Sequence, residues 1–192
     1  VGVLDSVFGR KKRKPTGVTS PPESVKDAAV GDVFTVMGFD VEYDDGYYLI
    51  ETKNRYSTQY SQWYELVAAD ADRKLWVYWS NDGGQLFVSA TKSNEPIGLD
   101  TLGLTGEDLK MVDEQHSLSN YFTYDEREFY YLNSGEAFFF QDDLGDGIGY
   151  YTWDLISADE RTVLSIDKFE GRPYECYFSD IVTSDSITVY KQ

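Results

Sequence analysis

The carboxylates of Asp142-Asp143-Leu144-Gly145-Asp146-Gly147 are the densest candidate for chemistry. Acidic residues two and four positions apart can surround a hard cation such as calcium. Leu144 holds the third position of that pattern and Trp153 the twelfth, where acidic ligands are required. The stretch therefore reads as a solvated acidic turn. His116 is the single histidine, so no second imidazole can complete a metal site or a triad, and it reads as a surface-loop residue. Cys176 alternates with Tyr174 and Phe178, the pattern of a buried apolar filler. No glycine-rich phosphate loop and no HExxH stretch occurs. The expectation is a non-enzyme with no catalytic residue, no cofactor and no metal. With 34 acidic residues many carboxylate pairs adjoin by chance, which weakens the rival reading of a hydrolase or transferase using clustered carboxylates.

What positions that loop is a repeat. Glu65–Val77, ELVAADADRKLWV, lies over Asp154–Ile166, DLISADERTVLSI, at a shift of 89 without a gap. Leu66, Ala69, Asp70 and Leu75 meet Leu155, Ala158, Asp159 and Leu164, Glu65 meets Asp154, and Asp45-Gly46 meets Ser134-Gly135. A duplicated supersecondary unit follows. Asp142–Tyr150 occupies the same place in its unit as Asn54–Gln62, NRYSTQYSQ, does in the first. One loop offers Asp142, Asp143 and Asp146, the other Arg55, Tyr56 and Tyr60, and these six are the candidate ligand- or partner-binding residues.

Sixteen Tyr and eleven Phe beside two Met favour strands. Period-two stretches run over Val33–Met37, Tyr47–Lys53, Lys74–Trp79 and Gln85–Thr91 in the first unit. The second has Glu128–Leu132, Ala137–Gln141, Tyr151–Ser157, Thr162–Asp167, Tyr174–Phe178 and Ser186–Tyr190. Turns are expected at Asp44-Asp45-Gly46, Asn81–Gly84, Asn133-Ser134-Gly135 and Glu170-Gly171. In Lys74–Trp79 the residues Leu75, Val77 and Trp79 make a core face, while Trp76 and Tyr78 make an aromatic, wettable one. The fold class is all-β: two antiparallel meanders packed as a pseudo-symmetric sandwich or partly open barrel, each hiding the other's apolar face. Short helices are expected near 21–29, opened by Ser20-Pro21-Pro22-Glu23, and near 106–113. The organisation is a basic tail over 1–14, a linker and short helix over 15–29, and one domain over 30–192 with repeats at about 31–94 and 120–190.

Charge divides the chain as sharply. Arg10, Lys11, Lys12, Arg13 and Lys14 with Asp5 give the first fourteen residues 5 − 1 = +4, leaving −17 − 4 = −21 for the rest. So acidic a body repels phosphate backbones, which argues against nucleic acid as a partner. Ahead of the basic run, Val3, Leu4, Val7 and Phe8 share one side of a short helix. Leu4, Val7, Phe8 and Arg10–Lys14 are thus expected to contact an anionic membrane surface or a membrane-protein partner, or to fold back on the acidic body. With no apolar leader or spanning stretch and one cysteine, the expected location is the cytoplasm, peripheral to the inner face of the membrane.

Gly31-Asp32, Trp63-Tyr64-Glu65-Leu66, Leu75-Trp76-Val77, Asn133-Ser134-Gly135-Glu136-Ala137, Leu164-Ser165-Ile166 and Tyr174-Glu175-Cys176-Tyr177-Phe178 together resemble the bacterial family catalogued as domain of unknown function 4178. The likeness runs over Val30–Gln192. Asp167 stands where that family usually has Glu, and Trp153-Asp154 where Asp-Tyr is common. The family has no catalytic residues to carry over. Its genes lie beside aminopropyltransferase-like, multi-span membrane and envelope-stress genes, which implies a cytoplasmic accessory near the membrane and a polyamine or other cation as a partner. The leading expectation is a non-enzymatic binding or adaptor module. The alternative is a β-barrel carrying a small cationic or amphipathic ligand.

Overall fold

The computed structural model describes residues 24–117 and 121–192. The tail over 1–14 and the linker to residue 23 lie outside the described residues, and with them the membrane-contact set and the Ser20 cap. Of the helix expected near 21–29, the described part is a 3-10 turn, Val25–Asp27. The second helix is present as α1, Gly106–Gln115, closed by a capping box in which Asp108 N–H donates to Thr105 Oγ1 and the Asp108 carboxylate accepts Thr105 N–H. His116 ends it as a left-handed C-cap. Among the described residues no helix is long and apolar enough to cross a membrane.

Eleven strands account for most of the described chain: β1 (Val33–Val36), β2 (Tyr48–Ser57), β3 (Gln62–Asp70), β4 (Arg73–Asp82), β5 (Gln85–Thr91), β6 (Tyr121–Tyr124), β7 (Arg127–Phe140), β8 (Ile148–Ser157), β9 (Thr162–Phe169), β10 (Tyr174–Ile181) and β11 (Ile187–Tyr190). They form one antiparallel sheet in the order β11-β1-β2-β3-β4-β5-β10-β9-β8-β7-β6. A further pairing of β7 with β2 closes eight of them into a ring. The ring is uneven. Its two halves, β2–β5 and β7–β10, keep only part of the expected meanders, since β1 and β11, expected in different units, pair with each other outside the ring, and the stretches expected at Glu128–Leu132 and Ala137–Gln141 merge in the one strand β7. The halves join only where strand ends overlap: Arg55–Ser57 on Phe138–Phe140, and Ser89-Ala90 on Asp180-Ile181.

Several details differ from the sequence reading. Ser134-Gly135 is no turn: β7 runs straight through it, with Ser134 opposite Trp153 and Gly135 opposite Thr152. Ladder bonds to β8 outweigh the local turn preference there. The strand between the two turns of the first meander, β3, and the edge strand β6 had no period-two signal of their own. The gapless repeat also hides a slip. Asp70-Ala71-Asp72-Arg73 closes β3 on β4 with a two-residue turn, so Leu66 faces Val77, whereas Ala158–Arg161 closes β8 on β9 with four residues, so Leu155 faces Leu164. The offset is two residues, and side chains alternate with period two, so every face is kept.

The largest correction concerns the core. The halves do not hide each other's apolar faces. Leu66, Leu75, Val77 and Trp79 turn outward into a cluster covered by Val25, Phe34, Val36, Ile187 and Val189. Leu155, Leu164, Ile166 and Cys176 turn outward into a second cluster under Leu99, Leu102, Leu109 and Phe122. Each half carries its own cover. The wettable faces look at each other across the ring, because charged and hydroxylated side chains need hydration that a shared apolar core would deny them.

Candidate functional site: the acidic interior of the ring

Closing the ring puts every second side chain inside. One residue from each of the eight strands, Tyr56, Glu65, Tyr78, Ser89, Tyr177, Asp167, Asp154 and Asn133, lines a single cavity of about 1700 Å³. It reaches the surface beside the first half's hairpins, where Gln59, Tyr60 and Asp82 are exposed, and beside the second half's, where Gln141, Ile148 and Arg172 are.

The duplication has built two matching stations in it. Glu65 lies directly opposite Asn54 on β2, and Asn54 Nδ2 donates to Glu65 Oε2 at 2.5 Å. Asp154, its counterpart at the 89-residue shift, lies directly opposite Asn133 on β7 and accepts hydrogen bonds from the Asn133 side chain and from Ser165 Oγ at 2.6 Å. Each Asn strand carries a bulge just ahead of the pair, which turns the Asn inward. Glu65 is only 4% exposed. Two further carboxylates, Asp167 and Glu175, face each other across the β9–β10 ladder, a juxtaposition that disfavours folding while both are charged.

No Lys or Arg is ion-paired with Glu65, Asp154, Asp167 or Glu175 among the described residues. Burial, reinforced by the charges of Asp154, Glu175 and Glu65, pushes the Asp167 carboxyl up to about 7 against the hydrogen bond from Thr152. Burial likewise raises Asp154, opposed by Ser165 and Asn133. The phenols of Tyr56 and Tyr78 are driven well above their ordinary range, first by burial and then by neighbouring Glu65. They are therefore neutral donors at any physiological pH. Tyr56 stacks on Trp63 at 5.5 Å and meets Phe139 at 5.1 Å and Tyr150 at 6.3 Å, so an aromatic wall spans the seam between the halves. The inside is electronegative, aromatic and hydrogen-bonding, with Arg172 the one basic residue on its lining.

The six residues singled out from the sequence divide. Tyr56 alone points into the cavity's deep part. Arg55, next along β2, points out and joins Asp143 in an ion pair while its guanidinium covers the Phe140 ring at 3.7 Å. Tyr60 is 91% exposed at the tip of its hairpin. Asp142 donates its backbone N–H to Asn54 Oδ1 at 2.9 Å, which ties its loop to the Asn54–Glu65 station. Asp142, Asp143 and Asp146 are not on the cavity's lining. The Arg55–Asp143 pair is partly solvated, so Arg55→Ala is expected to shift stability by no more than about 1 kcal/mol, read from urea midpoints.

Two of the four inward carboxylates, Glu65 and Asp154, were in view as a repeat, since they coincide at the shift, but that coincidence carried architecture alone. His116 stacks on Tyr131 and lies 3.4 Å from Asp113 Oδ1, the same oxygen that accepts from Ser134 and Tyr151. The two donors from the sheet, Ser134 and Tyr151, dock α1 through that one carboxylate oxygen, while His116, at the end of the same helix, has no hydrogen bond to Ser134 of the kind a triad needs. Burial pushes the Cys176 thiol up to about 12, as befits a core residue.

No characterised protein in the curated set and no solved structure matches this chain. Residues 37–182, which span both halves of the ring, match the family described as Domain of unknown function (DUF4178). Three quarters of the sequence is covered, and the chain belongs to that family.

Proposed function

We propose that the protein is a small-molecule-binding barrel whose ring interior holds an organic cation. The observation that carries this reading is the set of four inward carboxylates with no basic partner, walled by aromatic rings in a cavity of about 1700 Å³. Inward carboxylates that lack a basic partner are costly to keep ionised away from bulk water, and a bound cation offsets that cost while the rings add cation–π attraction. The interior exceeds the roughly 300–1,000 Å³ of common ligand pockets, which suits an extended ligand with its own hydration. Among the described residues no group of three or more His, Cys, Asp or Glu is gathered closely enough to hold a metal ion. That favours an organic cation over an inorganic one. The adaptor reading rests on residues 1–14 and gains no support from the described part of the chain.

Calorimetry with spermidine as the probe tests the proposal. Binding should persist at physiological salt and weaken by about 100-fold or more in Glu65→Gln/Asp154→Asn, since each charge-assisted hydrogen bond to the ligand is worth about 1.5–3 kcal/mol. Heat that disappears at physiological salt, or that the double substitution leaves unchanged, would mean counterion exchange at the outer surface and would sink the idea.

A further inference from the structure

We propose that Asp167 and Glu175 share one proton until the organic cation enters the ring and release it to solvent as the cation binds, so that uptake is a cation-for-proton exchange; this deepens the ligand-binding reading above and rests on it. Register is the first argument. Asp167 lies directly opposite Glu175 on the β9–β10 ladder, and their neighbours Ile166 and Cys176 belong to the outer core. Alternation therefore sends both carboxyl groups inward, from Cβ atoms about 5 Å apart. Two carboxylates so close, away from bulk water, do not both ionise cheaply, and one proton between them relieves the repulsion.

Hydrogen-bond partners are the second. Glu65 accepts from Asn54, from Tyr56 Oη at 3.4 Å and from Tyr78, and Asp154 accepts from Asn133 and Ser165. The pair is poorer in donors: Asp167 accepts from Thr152, and Glu175 from Tyr177 Oη at 3.0 Å. Facing the pair are Asp154 and Tyr150 from β8, Glu65 from β3, Tyr56 from β2 and Tyr78 from β4, all acidic or neutral. From β7 come Asn133 and Glu136, and from β5 Ser89. Arg172, in the β9–β10 turn, covers the Phe169 ring at 5.1 Å, and Lys168 points away from the cavity and donates to the Arg172 carbonyl. Burial and the surrounding negative charges push Asp167 up to about 7.

Position is the third. The charges of Glu65 and of Asp154 both reach Asp167, which sets the pair between the two stations. A cation held at either station bears on the pair, and a positive charge nearby favours ionised carboxylates. One O–H bond breaks, its proton passes to water, and an N–H donor of the cation takes the freed oxygen. The ring gains the charge of its ligand less one.

Calorimetry of the full chain with spermidine, in buffers of low and high ionisation heat, counts the protons exchanged. About one proton should leave per spermidine at pH 6 and about half a proton at pH 7, and affinity should weaken about tenfold from pH 7 to 5.5. Asp167→Asn and Glu175→Gln should each abolish the release, because either leaves one carboxylate with no like charge opposite. Each variant should also bind with nearly equal affinity at the two ends of that range. Binding without proton release, or a release that both variants keep, overturns the exchange and leaves the ligand reading standing. Absence of spermidine binding throughout pH 5.5 to 7 overturns both.

Discussion

Unfolding midpoints that rise as the pH is lowered from 8 to 5 are the expected behaviour of this protein, the reverse of ordinary acid weakening. The cause is the ring interior. Asp167 binds its proton more tightly folded, at about 7, than unfolded, near 3.8, and Asp154 shifts the same way. A folded-state pKa above the unfolded value gives stability that is complete below the unfolded pKa and disappears as the pH climbs through the folded one. The window is therefore about pH 4 to 7, and for Asp167 alone the swing is about 2–4 kcal/mol. The groups facing it are Asp154, Glu175, Glu65 and the neutral phenols of Tyr56, Tyr78 and Tyr177, so no basic side chain cancels the trend. Below about pH 4 the sign reverses. Burial raises Asp113, but bonds from Ser134, Tyr151 and His116 hold it below its ordinary value, and its contribution is lost as those conditions are reached. Guanidinium denaturation at pH 5 and 8 measures the slope, and Asp167→Asn should remove most of it. A midpoint falling steadily from pH 8 to 5 would show that this carboxyl is hydrated and ionised in the folded state.

The second large effect follows from having two cores. Leu66 is fully buried in one and Leu155 is 2% exposed in the other, with the polar interior between. Leu66→Ala and Leu155→Ala should each cost about 2–5 kcal/mol. Because they share no neighbours, the double variant should lose their sum to within about 0.5 kcal/mol. That total rivals the roughly 5–15 kcal/mol holding a domain together, so the double variant is expected to be largely unfolded at 37 °C. Urea titration of the four chains makes the comparison. A double cost well short of the sum would mean that the two leucines belong to one core after all.

The halves, their antiparallel strands and the α1 cap were legible because alternation and capping are local properties. Which way a face turns in a closed ring is not local. Trp76 and Tyr78 announce a wettable surface, and such a surface can border bulk water or an enclosed cavity equally well. The same ambiguity hid Asp167 and Glu175 among 34 acidic residues. Their strand positions were plain, but meeting each other depended on a register that only the four-residue Ala158–Arg161 turn sets. Arg55 and Asp143 did come together, as their matched places in the two units suggested, yet outside the ring. Ser134-Gly135 misled because a dipeptide common in turns sat within fourteen residues of continuous strand.

The seams between the halves give the wall an unequal resistance to breathing. Peeling β3 from β4 would separate eight facing residue pairs, whereas parting β5 from β10 separates two. Thermal opening will favour the weaker edge, much as a cask leaks between its shortest staves. On the ligand-binding reading proposed above, a ligand too bulky for the two openings would pass at Ser89-Ala90, where two facing pairs hold the wall.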